Sequence, residues 1–302
     1  MLSVLIPVYN FDVRDLVKTL SNQAERLDVA FEIIVIDDAS CDNFKIINSV
    51  IKDFSGVKYM EEEVNLGRSR IRNKLVTLAH YDNILFLDCD STVITDDYLK
   101  KYIDTAKERS VIYGGTLYNK NFENFSPKQK LHWLHGVKRE QSSAQSRNQF
   151  PNRSFKTNNF FIHKSIFQNI VFNEKIKGYG HEDTLFGYEL SKHNISVYHI
   201  DNPVVHMGLE SSEEFLRKTR EGIKNLKRIM KINGNEKMLV KDITLLAFYK
   251  TIKDFGLDSV MRYLYYKQEY RLRRNLMSSK PNLFLFDLYK LGYLCTLNGD
   301  VQ

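Results

Sequence analysis

The segment Ile84-Leu85-Phe86-Leu87-Asp88-Cys89-Asp90 constrains this chain more than any other. Its apolar run fits a buried strand, and the run stops abruptly at two carboxylates one residue apart. Open α/β sheets deliver their functional groups at the carboxyl ends of their strands. Two acidic side chains set together there repel each other unless a cation joins them. The pattern therefore predicts a divalent metal and, with it, a phosphorylated ligand.

Other segments supply the rest of such a sheet. Ser3-Val4-Leu5-Ile6-Pro7-Val8-Tyr9-Asn10 and Glu32-Ile33-Ile34-Val35-Ile36-Asp37-Asp38-Ala39-Ser40 are further apolar runs, and the second also ends in paired acids. Between them, Leu16, Val17, Leu20 and Leu27 fall near helical spacing over residues 14–27. Strand, helix, strand in so short a span is a βαβ unit and predicts a parallel sheet. A second helix over residues 43–54 leads to the strand Val57-Lys58-Tyr59-Met60. Asn65-Leu66-Gly67-Arg68-Ser69-Arg70-Ile71-Arg72-Asn73 then reads as a turn opening a helix. Further strands are expected at Val111-Ile112-Tyr113, Phe160-Phe161-Ile162 and Asn202-Pro203-Val204-Val205. Residues 128–153 read as a polar, basic loop around Trp133, and residues 184–193 as a helix.

Beyond residue 210 the alternation gives way to helices. Residues 212–232 predict one amphipathic helix, with Ser211 or Ser212 as cap ahead of Glu213 and Glu214. Asn233-Gly234-Asn235 stops it. Residues 237–275 read as further helix, Pro281 breaks the pattern, and a last helix runs to about residue 297. Two domains follow: residues 1–209, and a basic, mainly helical extension over residues 210–302.

Five of these pieces together resemble the family-2 inverting glycosyltransferases with the GT-A fold. They are Val4-Leu5-Ile6-Pro7-Val8-Tyr9-Asn10, Val35-Ile36-Asp37-Asp38-Ala39-Ser40, Asn65-Leu66-Gly67 through Arg72-Asn73, Leu87-Asp88-Cys89-Asp90-Ser91 and Gly178-Tyr179-Gly180-His181-Glu182-Asp183. They occur in the family's order, over residues 3 to about 206. His181 stands where similar enzymes often carry Gly, and Tyr179 where many carry Trp. The resemblance implies a mixed α/β sheet flanked by helices and a nucleotide-sugar donor, with UDP-sugars favoured. It also implies a glycan or lipid-linked glycan acceptor and Mn²⁺ or Mg²⁺ as cofactor.

It also assigns roles. Pro7, Tyr9 and Asp38 line the nucleotide site, where Tyr9 can stack on a pyrimidine. Gly67 lets the backbone pass close and Arg72 faces the nucleotide, while Arg68 and Arg70 are left to solvent or ion pairs. Asp90 ligates the metal and Asp88 reaches the ribose or a metal-bound water. His206 completes the metal site, with His199 and His181 as rivals. Asp183 is the catalytic base and Glu182 binds sugar or acceptor. The donor-sugar pocket is lined near Gly114-Gly115-Thr116 and residues 156–159. The residues support the base on their own: carboxylates at a helix start stay ionised at neutral pH. A single base with no carboxylate opposite implies direct displacement, hence inversion.

Composition excludes several classes. Hydrophobic residues make up 43% and charged residues 27%, as in ordinary globular proteins. No apolar run approaches the length of a membrane span. Cys41, Cys89 and Cys295 match neither a disulfide framework nor zinc spacing, and a reduced, cytoplasmic setting is expected. A chain opening directly on a core strand predicts no signal peptide. The net charge of +7 lies in the tail, where residues 210–302 carry 18 Lys or Arg against 11 Asp or Glu. No nucleic-acid module accompanies this excess, so an anionic membrane surface is the functional reading and a solvated helical face the bland one. Two alternatives remain. A sugar-nucleotide nucleotidyltransferase would open on a Gly-rich phosphate loop, where this chain has Pro7-Val8-Tyr9-Asn10. A non-catalytic glycan-binding protein would not need the intact acidic pairs.

Overall fold

The computed structural model describes residues 1–106, 110–121, 125–232, 240 and 242–297. The chain divides into two compact units. The first comprises Met1–Asn119, Gln141–Lys177 and Glu182–Gly208; the second comprises Lys120–Glu140, Gly178–His181 and Leu209–Gln302. Two early segments thus fall in the helical unit, and their assignment could not be read from a composition shift near residue 210.

The first unit is built on a seven-stranded sheet. Its strands are β1 (Leu2–Val8), β2 (Phe31–Asp37), β3 (Val57–Glu61), β4 (Asn83–Leu87), β6 (Val111–Tyr113), β8 (Asn159–His163) and β9 (Val197–His199). They lie in the order β3-β2-β1-β4-β8-β6-β9. From β3 to β4 every pairing is parallel. Strand β8 runs antiparallel to both β4 and β6, which makes the sheet mixed. A second, three-stranded sheet orders β5 (Ser91–Val93), β10 (Val204–His206) and β7 (Thr116–Leu117).

The continuous apolar runs have a simple cause: both faces of the large sheet are covered. Leu5, Ile34, Ile36, Ile84 and Phe86 pack on one side with Ile71 and Leu75 of α3 (Arg68–Leu78) and Phe186 and Leu190 of α7 (Glu182–Lys192). Val4, Ile6, Ile33, Val35 and Leu85 pack on the other with α1 (Arg14–Ala24) and α4 (Tyr98–Thr105). Alternation would have left one face wet. Aromatic stacking adds to the first cluster, with Phe86 on Phe160 at 4.9 Å and Phe172 on Phe186 at 4.4 Å between ring centroids.

Several expectations need correcting. The helix expected over residues 43–54 is α2 (Asp42–Asn48) followed by a 3₁₀ turn, Ser49–Asp53. The expected loop around Trp133 instead holds α5 (Lys130–His135), a π-helical turn, Gly136–Glu140, and α6 (Ala144–Arg147). These helices are too short to show an amphipathic period.

The second unit centres on α8 (Ser212–Ile232), as its periodicity predicted. Ser211 is the cap, its hydroxyl accepting the Glu214 N–H at 3.2 Å. The stop signal at Asn233-Gly234-Asn235 lies outside the described residues. The helical stretch expected over residues 237–275 is interrupted: α9 (Thr244–Asp254) ends before Gly256, at φ +71°, and α10 (Asp258–Leu276) begins after it. A left-handed glycine terminates helices. Helix α11 (Leu283–Thr296) follows, capped by the Asn282 side chain. Leu216, Tyr265, Leu276 and Tyr289 form one core of this unit, and Ile223, Leu226, Leu246 and Leu294 another.

Candidate active site

In the first unit, polar groups gather where the parallel strands end. Asp38, just past β2, donates its N–H to Val8 O at 2.7 Å. Its carboxylate accepts the N–H of Leu66 at 2.6 Å and of Gly67 at 3.0 Å. Asp38 thus ties the 65–67 turn to the sheet edge. Gly67 has φ +81°, which explains glycine at that turn. Burial raises the Asp38 carboxyl above its usual range, against the pull of those two N–H groups. Asp37 is also buried; one oxygen caps the Ser40 N–H at 2.6 Å, and the other has no hydrogen-bond partner among the described residues. Tyr9 is 54% exposed beside this edge and Pro7 lies within β1. Asn10 and Ala39 both take left-handed backbone here, a strain typical of functional edges.

The Asp pair separates into two roles. Asp88 turns to Arg72, whose guanidinium donates to it at 2.6 Å. Arg72 is 2% exposed, so it is neither a surface ion pair nor open to solvent. Its Nε has no hydrogen-bond partner among the described residues. Burial raises the Asp88 carboxyl, with the Arg72 charge opposing. Asp90 turns the other way, toward His206, whose Nδ1 lies 3.4 Å from its carboxylate. The β5–β10 pairing sets His206 opposite Ser91 and so brings it beside Asp90. Burial would raise the Asp90 carboxyl, but the charge and hydrogen bond of His206 outweigh it and hold it low. The structure therefore brings Asp90 and His206 together and sends Asp88 elsewhere. Among the described residues no group of three or more His, Cys, Asp or Glu side chains is arranged to hold a metal. The Asp90–His206 pair still offers a carboxylate and an imidazole, donors that suit a divalent ion whose other ligands are phosphate oxygens and water.

Glu182 and Asp183 occupy the first turn of α7, two residues before the expected helix start. The Glu182 side chain is 4% exposed and meets Arg68 at 3.1 Å, with Arg72 at 3.9 Å. Arg68 and Arg72 lie four apart on α3, on one helix face. That face joins carboxylates from two distant motifs. Arg68 is thus in an ion pair, as expected, but its partner belongs to the site. Asp183 accepts the Thr184 N–H at 2.7 Å and pairs with Lys156 Nζ at 2.8 Å. Asn158 donates to Thr116 Oγ1 at 2.7 Å. Asn159 is fully buried, accepting from Tyr98 and Tyr102 and donating to Gly115 O and Asn202 O. Residues 156–159 and 114–116 thus lie together, as the donor-pocket expectation required of them. Sequence reasoning did not pair Lys156 with Asp183 or Arg68 with Glu182; the one available signal for Arg68 was its spacing from Arg72.

His199 is not a metal ligand in this arrangement. It is buried, its Nδ1 accepting from Arg147 at 3.2 Å and its Nε2 donating to Pro151 O at 2.8 Å. Burial pushes its pKa down to about 4. His181 belongs to the second unit, where Gly178, Gly180 and His181 all adopt left-handed backbone. There Asn225 of α8 donates to Tyr179 O at 3.1 Å and Gly180 O at 3.3 Å, and Lys218 lies over the Tyr179 ring at 5.0 Å.

A polar carboxyl edge on a mixed sheet, with acidic pairs at strand ends and at a helix start, is the layout in which open α/β sheets bind ligands. Residues 3–171 match the sequence profile of Glycosyl transferase family 2, and the chain belongs to that family. The Bacillus spizizenii poly(ribitol-phosphate) beta-glucosyltransferase is 32% identical over 38% of this chain and 19% of its own length. Escherichia coli chondroitin synthase is 28% identical over 63% of this chain and 32% of its own length. The chain thus spans only about a fifth to a third of these curated relatives. Among solved structures, the Pyrobaculum calidifontis mannosyltransferase PcManGT, in complex with GDP-Man and Mn²⁺, has a TM-score of 0.57 at 12% identity. It covers 99% of this chain and 88% of that one. Residues 1–349 of S. aureus TarS with UDP give 0.50 at 16% identity, covering 97% and 89%. At these identities the likeness establishes the fold.

Proposed function

We propose that this protein transfers a sugar from a nucleotide-sugar, most favourably a UDP-sugar, to a hydroxyl of a glycan or lipid-linked glycan, with inversion at the anomeric carbon. The observation that carries this reading is the α3 face. Arg68 and Arg72 join Glu182 and Asp88, so the motif carboxylates belong to one charge network at one sheet edge. Pro7, Tyr9, Asp38 and Gly67 border the nucleotide, Asp88 faces its ribose, and the buried Arg72, which the resemblance set facing the nucleotide, instead holds Asp88 in place. Asp90 and His206 would hold Mn²⁺ or Mg²⁺, which when bound would screen the charge of the leaving diphosphate. Asp183 accepts the acceptor's proton. Its side chain is 16% exposed against 4% for Glu182, which favours Asp183 for contact with an incoming hydroxyl. Lys156 must leave Asp183 for this to happen, and a diphosphate gives it another anionic partner. Relatives named for polyribitol-phosphate and chondroitin chemistry support a polyol or glycan acceptor. The basic tail beyond residue 210, helical in its described residues, contacts anionic membrane at the inner face of the cell. No helix of the described residues is long and apolar enough to cross a membrane.

UDP release from a panel of UDP-sugars, with and without Mn²⁺, tests the reaction class. Metal-dependent release in the presence of a glycan acceptor is expected. Nucleotide-sugar formation from UTP and a sugar 1-phosphate would instead identify a nucleotidyltransferase. Glycan binding without turnover would identify a binding protein.

A further inference from the structure

The second unit holds an apolar cleft that the transfer reaction does not use. It lies between α10 and α11 and encloses about 390 Å³, within the range of about 300–1,000 Å³ typical of small-molecule sites. Met261, Leu264, Leu272, Leu285, Leu288 and Gly292 line it. The lining repeats at helical spacing on both helices, so the cleft is a built feature of their packing. Leu264 remains 47% exposed at its mouth.

The charges around it are equally specific. Gln268 and Arg271 complete the lining. Arg271 makes a hydrogen bond only to Gln268, at 3.5 Å, and no carboxylate among the described residues lies within ion-pair distance of it. The same holds for Arg262, Lys267 and Arg274 on α10; Arg262 bonds Ser259 and Lys267 lies over the Tyr263 ring. Several other cations of this unit are paired: Arg217 with Glu214, Arg220 with Glu269, Lys290 with Asp287. Tyr263, Tyr266 and Tyr270 are 60%, 62% and 76% exposed on α10, beside those cations. Exposed tyrosines next to Lys and Arg mark surfaces that meet a lipid headgroup layer.

We propose that this cleft binds the hydrocarbon chain of a single anionic lipid, with Arg271 meeting its phosphate. An apolar slot explains a chain, and an unpaired guanidinium at the slot explains a phosphate, which it can hold bidentately. This goes further than adsorption of a basic face, which needs no cleft. It is also independent of the transferase reading, because binding is measured without donor.

Calorimetric titration of the full chain uses three probes: dodecyl phosphate and dodecyl maltoside, each below its critical micelle concentration, and inorganic phosphate. Saturable binding of one dodecyl phosphate per chain is expected, with at least tenfold weaker binding of the other two. Leu288→Trp, which fills the cleft, should weaken dodecyl phosphate at least tenfold, and so should Arg271→Glu. Leu264→Glu is a second cleft variant at an exposed position, should Leu288→Trp misfold. Equal affinity for the maltoside, or binding insensitive to both cleft variants, overturns the proposal. So does a dimer in sedimentation that the cleft variants dissociate, since the cleft would then seat a second copy.

Discussion

Strand β2 carries buried carboxylates at both ends, and the two ends are finished differently. At the amino end, Glu32 accepts from Ser3 Oγ at 2.7 Å, His80 N at 2.6 Å and Lys58 Nζ at 3.1 Å, with His80 Nδ1 at 2.9 Å. Burial alone would raise this carboxyl; the donors, the His80 backbone N–H foremost, overcome it and hold the pKa at about 2. At the carboxyl end, an Asp37 oxygen and the Arg72 Nε are buried without partners among the described residues, and burial wins at Asp38 and Asp88. A buried polar group left unmet costs stability, typically about 1–3 kcal/mol. One end of the sheet is completed by its own chain. The other, we propose, is completed by a ligand.

That contrast predicts effects of different kinds. The largest is expected at Asp183. Asp183→Asn should lower kcat by about 10²–10⁴-fold, the usual contribution of a general base, and leave UDP affinity unchanged. Steady-state kinetics beside UDP calorimetry would show this. If more than about a tenth of kcat survives, less than the low end of that range, the base lies elsewhere and Glu182 is the next candidate.

Glu32→Gln should do the reverse, costing about 3 kcal/mol of stability at neutral pH without touching kcat. The sign follows from a folded pKa of about 2 against an ordinary 4.5. The stabilisation is complete above pH 4.5 and fades as pH falls toward 2. His199 adds an earlier stage: held neutral with a folded pKa of about 4, it withdraws its contribution as pH falls from 6.5 toward 4. Urea unfolding across this range should show both stages, and the variant should lack the lower one. A variant as stable as the parent would erase the distinction between the two sheet ends.

The smallest effect is expected at Arg68. It is a partly exposed member of a pair whose other member, Glu182, also has Arg72 near it. Arg68→Gln should therefore change unfolding free energy by about 1 kcal/mol or less. A loss of several kcal/mol would mean that the carboxyl edge is held for the fold as tightly as the amino edge.

The parts legible in sequence were those with local signatures. Strands buried on both faces print as apolar runs, and β1, β2 and β4 were found that way. The acidic pairs were visible because each breaks an apolar or glycine-rich context. What escaped was non-local. The Arg68–Glu182 pair joins residues 114 positions apart, and no spacing rule reaches that far. The turn of Asp88 toward Arg72 escaped too, whereas the approach of His206 to Asp90, made by the β5–β10 pairing, was expected from the family resemblance alone. The break at Gly256 was local and still missed, because the apolar and aromatic residues on either side continue the helical pattern.

Calorimetric titration of UDP into the parent chain and into Asp90→Ala, each with and without Mn²⁺, tests most directly that the carboxyl edge is kept for a metal–nucleotide complex. The parent should bind UDP more tightly with Mn²⁺. The variant should fold normally and show one UDP affinity whether or not Mn²⁺ is present. A variant whose UDP affinity rises with Mn²⁺ as much as the parent's would contradict the assignment of Asp90 to the metal.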